Sequence, residues 1–262
     1  MLLIAALTFS VMQVRGQEDY PFKSGEYGLY GAYYNWQFIW IQSGEVSFHA
    51  DTIQFEGHKV WHLKALGKTF KAYDFFYSVR DTFEVYTTYD HYQPLFFRRV
   101  LNHGKTSSYH QYRFDADQHK VYSFVKRDQQ PAFHDTLPLK DEMLDLVSSS
   151  YYFRSYDFDS LHSGEKVSFR LLVDNEIHDL YFHYLGKENV ETRNGKEFRC
   201  HKVSVYLLGG DFFDEGEYMK IWFTDDRNRV PVQVETKILV GSVKAVLLDT
   251  ENLKYPVTSE IK

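Results

Sequence analysis

The chain lacks most of the features that announce a function. Its 262 residues contain one cysteine, Cys200. A lone thiol excludes an internal disulfide and any cysteine-based metal cluster. Alternation puts Cys200 on the same side of its strand as Phe198, where a thiol serves as a small buried hydrophobe. Positive charge is also in deficit, with 30 Lys and Arg against 36 Asp and Glu and a net charge of −6. That balance argues against nucleic acid as a partner and against electrostatic docking on anionic lipid. No segment after the first sixteen residues approaches the roughly 20 apolar residues that a bilayer-spanning helix needs, so an integral membrane protein is not expected. His-Glu-x-x-His, Gly-x-Ser-x-Gly and phosphate-loop patterns are all missing. Asp115, Asp117 and His119 match no zinc or calcium spacing. His58 and His62 would stand ~13 Å apart on a strand. Neither a metal nor any other cofactor is expected, and no catalytic residue is assigned.

What is present begins with an apolar run over residues 1–14, about the length of a signal h-region. Val14 and Gly16 fit the small-residue rule for cleavage after Gly16, and polar Gln17-Glu18-Asp19 follows at once. Residues 1–16 are therefore expected to be a signal peptide, although no basic residue precedes the run. Removing them takes away Arg15 and moves the net charge from −6 to −7. The expected location is periplasmic, in soluble form and without a lipid-anchor cysteine.

Aromatic residues make up 18% of the chain. They favour strands and supply large buried area at modest entropic cost. Period-2 alternation recurs over residues 26–33, 38–50 (long or bulged), 60–65, 83–89, 95–100, 107–114 and 121–125. It resumes over 167–173, 177–184, 190–193, 198–207, 218–223, 230–239 and 242–248. Asn194-Gly195 carries the strongest hairpin signature, that of a type I′ turn. Asp174-Asn175-Glu176 and Gly241 mark further turns.

Two segments break this rhythm. Residues 69–76 read as a short helix or loop. Residues 139–152 read as a helix, with Met143, Leu144, Val147 and Tyr151 at helical spacing and Asp141-Glu142 suited to its N-terminus. The mature chain, 17–262, then reads as one β-rich domain, with possible halves 17–138 and 160–250 joined by a helical seam over 139–156. Ser-Gly-Glu at 24–26, 43–45 and 163–165 precedes strand-like runs, and the first and third open the two halves.

Several segments, taken in order, resemble a known family. They are Phe22-Lys23-Ser24-Gly25-Glu26, then Tyr77-Ser78-Val79-Arg80-Asp81, then residues 145–154 ending in Tyr151-Tyr152-Phe153-Arg154. The most specific is Trp222 through Val232 with its Asp225-Asp226-Arg227-Asn228-Arg229 core, followed by Gly241-Ser242-Val243-Lys244-Ala245. The chain is similar over most of its length to the exported bacterial proteins grouped as domain of unknown function 3108. The resemblance implies an envelope location and a β fold, and it supplies no catalytic residues.

The expected architecture is all-β with minor α. A large curved antiparallel sheet or open half-barrel, of the kind lipoprotein carriers have, carries a short helix region packed on it. A two-sheet sandwich or two successive β modules is the alternative. The concave face of such a sheet must be covered by helix, second sheet or ligand. Trp40, Trp61, Tyr77, Arg80, Arg154 and Trp222 are the candidate ligand-binding residues. Pairing of Arg80, Asp81 and Arg154 across the seam would either fix the helix or line a mouth. Asp225, Asp226, Arg229 and Pro231 are assigned to a structural hairpin. The expected function is a non-catalytic binding protein for a lipid or other apolar or amphipathic envelope component. A structural module binding an envelope protein is the alternative, and a glycan- or ester-acting hydrolase a more distant one.

Overall fold

The computed structural model describes residues 20–36, 39–75, 78–206, 218–237 and 242–261. The proposed signal segment 1–16, Phe38, Phe76, Tyr77 and Gly241 lie outside the described residues. Alternating burial shows why strands form. In residues 120–127, Val121, Ser123 and Val125 are buried while Lys120, Tyr122 and Lys126 face solvent, the period-2 signature of a half-buried strand.

The first arm comprises β1 (Glu26–Trp36), β2 (Ile39–Phe55), β3 (His58–Thr69), β4 (Arg80–Thr88), β5 (Pro94–His103), β6 (Thr106–Asp115), β7 (Lys120–Arg127) and β8 (Phe133–Pro138). Then come β9 (Met143–Leu144), helix α1 (Leu146–Tyr152) and two short 3-10 turns. The second arm is β10 (Lys166–Val173), β11 (Glu176–Glu191), β12 (Glu197–Tyr206), β13 (Tyr218–Thr224), β14 (Pro231–Lys237) and β15 (Ser242–Glu251).

All fifteen strands belong to one sheet, ordered β8 down to β1, then β15 down to β9. Every neighbouring pair is consecutive in sequence except β1–β15. All pairs are antiparallel except β9–β10. The sheet is not closed by hydrogen bonds, yet its edges are near each other. Strands β8 and β9 form opposite edges but are joined by residues 139–142 alone, which reach no more than ~18 Å when extended. The sheet must therefore curl until its edges almost meet. The expected sandwich alternative is replaced by this single curled sheet.

The concave face is packed at one end. Phe22, Trp61, Leu63, Val85, Phe97, Tyr112 and Leu172 form a core with Val147 and Tyr151 of α1. A second core gathers Phe158, Phe182, Val203 and Phe223 beneath the residues that follow α1.

The sequence reading needs correction at three elements. The helix expected over residues 139–152 is confined to Leu146–Tyr152. Glu142 takes a left-handed φ of 55°, and Met143-Leu144 pairs with Arg170-Leu171 instead. The N-cap is Asp145, in a reciprocal capping box with Ser148, not Asp141 or Glu142. Strand β8 is not expected from the sequence, because Pro131 and Pro138 bracket it and suggest a break. It is an edge strand, where proline removes no ladder bond. Around Asn194-Gly195, Gly195 has φ +81° but Asn194 is not left-handed. The Gly195 amide donates to the Thr192 carbonyl, so the loop is a type I turn ending in glycine. Two-residue hairpins with both central residues left-handed occur instead at Glu56-Gly57, at φ 50° and 84°, and at Asp174-Asn175, at φ 51° and 66°. Residues 69–76, read as a short helix or loop, include a single 3-10 turn at Lys71–Tyr73.

Candidate functional site

Between the arms, at the end away from the packed core, lies a cavity of about 1150 Å³. Its walls come from the inward faces of both arms. Phe48, Phe83 and Leu101 stand on one side, Phe169, Leu171, Ile221 and Phe223 on the other, with Leu146, Tyr151 and Phe153 from the helix region. Alternation produces this lining. On β13, Ile221 and Phe223 point inward while Trp222 points to the opposite face, with Val190, Phe198, Cys200 and Val232. Apolar walls with a few convergent polar groups are the usual make-up of a small-molecule site, and the volume slightly exceeds the common range of roughly 300–1,000 Å³.

Two polar assemblies border the cavity. The first surrounds Arg154, which is 5% exposed. Its guanidinium binds both oxygens of Glu26, at 2.5 and 3.2 Å, and donates from Nε to the Asn228 carbonyl at 3.1 Å. The ring faces of Phe22 and Tyr151 flank it. A buried cation keeps its charge only with such partners.

The second assembly joins the arms. The β10–β11 tip reaches across to β5, β6 and β7. Arg99 pairs with Asp174. The Asn175 amide donates to the Tyr112 hydroxyl at 3.0 Å, and the Ser123 hydroxyl donates to the Asn175 side-chain oxygen at 2.6 Å. His110 lies under the ion pair, 1% exposed, with its ring nitrogens 3.1 and 3.2 Å from Arg99. Burial, reinforced by the Arg99 charge, holds its pKa down to about 4. His110 is therefore neutral at pH 7.

The residues singled out in the sequence are dispersed. Arg154 lines the cavity. Trp61 lies in the packed core, edge-on to Phe22 at 4.9 Å. Trp40 carries Lys244 over its ring and lies apart from the cavity lining. Trp222 donates its indole N–H to Glu188 at 2.7 Å on the outer face. Arg80 is held by Asp74 and Thr69, and Asp81 by His103, so the carboxylate that pairs with Arg154 is Glu26 and not Asp81. Tyr77 is outside the described residues.

In the β13–β14 connection, Asp226 accepts from the Thr224 hydroxyl, the Asn228 amide and the Ser259 hydroxyl. Asp225 contacts Lys187 and His201. Arg229 is left-handed at φ 45° and faces Asp157 at 3.7 Å. Pro231 opens β14 and borders the cavity beside Val230. The turn thereby fixes Asn228, whose carbonyl receives Arg154.

Sequence reading missed Glu26, Arg99, His110 and Asp174 as members of any site. It also missed a cluster of Asp159, His201 and Asp225. The Lys187 ammonium already stands 2.8 Å from Asp159 and 3.1 Å from Asp225, so the cluster has its own cation. No sequence spacing unites these groups.

Fold and site together define an open, barrel-like β protein with an internal, mostly apolar cavity. The chain belongs to the family described as Protein of unknown function (DUF3108), whose model matches residues 29–248. Among solved structures it is similar to the crystal structure of a beta-barrel-like protein of domain of unknown function DUF1849 from Brucella abortus. The TM-score is 0.53 at 8% identity, covering 88% of this chain and 99% of the other. At that identity the likeness is one of fold alone. Among curated proteins, none matches. No helix among the described residues is long and apolar enough to cross a membrane.

Proposed function

We propose that this chain is a non-catalytic, exported binding protein of the periplasm, holding an apolar or amphipathic component of the cell envelope. The cavity between the arms carries the reading. A sheet that needed only to fold would fill its concave face at both ends, since interiors close-pack. Here one end is dense with aromatic rings, while the other encloses about 1150 Å³ walled by apolar side chains. An acyl chain or similar molecule would gain the favourable burial that those walls offer. The apolar run at residues 1–14 supports the export part of the proposal.

The test is native mass spectrometry of the protein purified without detergent from a bacterial periplasm, followed by organic extraction. Co-purified lipid that a cavity-filling Leu101→Trp variant no longer carries is the expected result. Protein that is free of lipid and takes up none from vesicles would overturn the proposal.

A further inference from the structure

The Arg99 guanidinium is a buried charged group of the cavity wall whose hydrogen bonding is incomplete among the described residues. It lines the cavity and is 8% exposed. Its Nε is buried with no acceptor. Its neighbours across the strands are Phe83 and His110, an apolar ring and a neutral imidazole. Neither supplies a negative charge.

Among the described residues, the single carboxylate that reaches Arg99 is Asp174, which arrives from the other arm, 75 residues away, on a two-residue turn. The two halves of this pair are unlike. The Arg99 side chain is 9% exposed, whereas that of Asp174 is 54% exposed. Asp174 can return to water at little cost, but Arg99 cannot lose an anion without leaving a buried charge uncompensated. Asp174 therefore has the character of a replaceable counter-ion. A buried donor without an acceptor is costly, and the planar guanidinium fork suits a second, bidentate anion.

We propose that Arg99 receives the acidic head of an amphiphile whose chain fills the apolar cavity, and that Asp174 holds that position until the head displaces it. This rests on the proposed binding function and names the ligand class as an anionic amphiphile, headed by a carboxylate or a phosphate. Displacement of Asp174 removes one of the contacts that tie the β10–β11 tip to the first arm and leaves the Asn175 bonds to Tyr112 and Ser123 in place.

Three probes with the same chain test the idea on the whole mature protein: oleate, 1-oleoyl lysophosphatidate and uncharged 1-monooleoylglycerol. A charge-assisted bidentate contact predicts that at least one acid binds about tenfold or more tightly than the neutral probe. Which acid wins identifies the head group. Arg99→Gln should bring the acid-to-neutral ratio close to one. Asp174→Asn removes the competing carboxylate while keeping a residue tolerant of positive φ, and it should widen the ratio several-fold. Equal binding of all three probes by the native protein overturns the head-group assignment but leaves the cavity proposal standing. So does an unchanged ratio in Arg99→Gln. An unchanged ratio in Asp174→Asn overturns the displacement step. Failure of all three probes to bind overturns both proposals together.

Discussion

Asp145 shows how one side chain can organise an element at a cost. It accepts from the Val147 and Ser148 amides at 2.8 and 3.0 Å, while its second oxygen is buried with no partner. Burial outweighs these hydrogen bonds and pushes its pKa up to about 6. A raised folded-state value means that the native protein binds the proton first as pH falls. The penalty is absent below the ordinary carboxyl range near 4 and complete above about 6. Asp145→Asn can still accept from the amides, so its stability relative to the native protein should improve by about 2 kcal/mol between pH 4 and pH 7.5. Urea denaturation at the two pH values reads the difference, and parallel curves would contradict it.

His110 has the opposite sign. Its pKa is held down at about 4, so the unfolded chain takes the proton first. The associated stability is full above about pH 6.5 and drains as pH falls towards 4. His110→Gln should flatten the loss in that window. Arg154 and Glu26 make a third case. Glu26→Leu alone leaves a buried guanidinium unpaired and should cost about 3–5 kcal/mol. Adding Arg154→Met should recover part of that loss in chemical denaturation, because the stranded charge is then gone.

Among the elements, β2 is the most constrained. Ala32 faces Gly44 but Tyr33 faces Gln42, so Ser43 is the extra residue of a bulge. A Cβ on Gly44 would meet the Lys68 carbonyl oxygen of β3 far inside van der Waals contact. Gly44→Ala must push the two strands apart, with an expected loss of about 2–4 kcal/mol and faster amide exchange confined to residues near 44 and 68. Wild-type exchange there would refute it. Of the three Ser-Gly-Glu sequences this is the exception. Gly25 and Gly164 are left-handed turn residues whose amides donate to Ala50 and Tyr184 on neighbouring strands.

Strands were legible in the sequence because a half-buried strand writes its burial in alternate residues. The bulge in β2 was legible too, from the long run broken by Ser43-Gly44. The helix was misread because Met143 and Leu144 have helical spacing to Val147 and Tyr151, yet their backbone is taken by β10. A two-residue parallel bridge leaves no local signature. The candidate site was largely illegible for a related reason. Arg99 meets Asp174, and Arg154 meets Glu26, across 75 and 128 residues, and only the curl of the sheet brings them together. Tryptophans drew attention by size, but Trp61 and Trp222 fill packed positions on opposite faces.

On the scale of the whole molecule, the strand order governs assembly as well as shape. Thirteen of the fourteen strand pairings join strands that are consecutive in sequence, at small loop-closure cost. The pairing of β1 with β15 is different, because Tyr27 meets Glu251 from the far end of the chain. Two meanders can thus form separately, and neither encloses anything until that seam closes. The seam is the natural rate-limiting event. Truncating Val246, 3% exposed at the seam, should chiefly slow folding. Truncating Val121, fully buried in β7, should chiefly hasten unfolding if the edge strands join late. Stopped-flow chevrons of Val246→Ala and Val121→Ala distinguish the two limbs. A nascent chain therefore carries an unjoined first meander until β15 is made, and over that interval the aromatic lining of the future cavity is exposed surface.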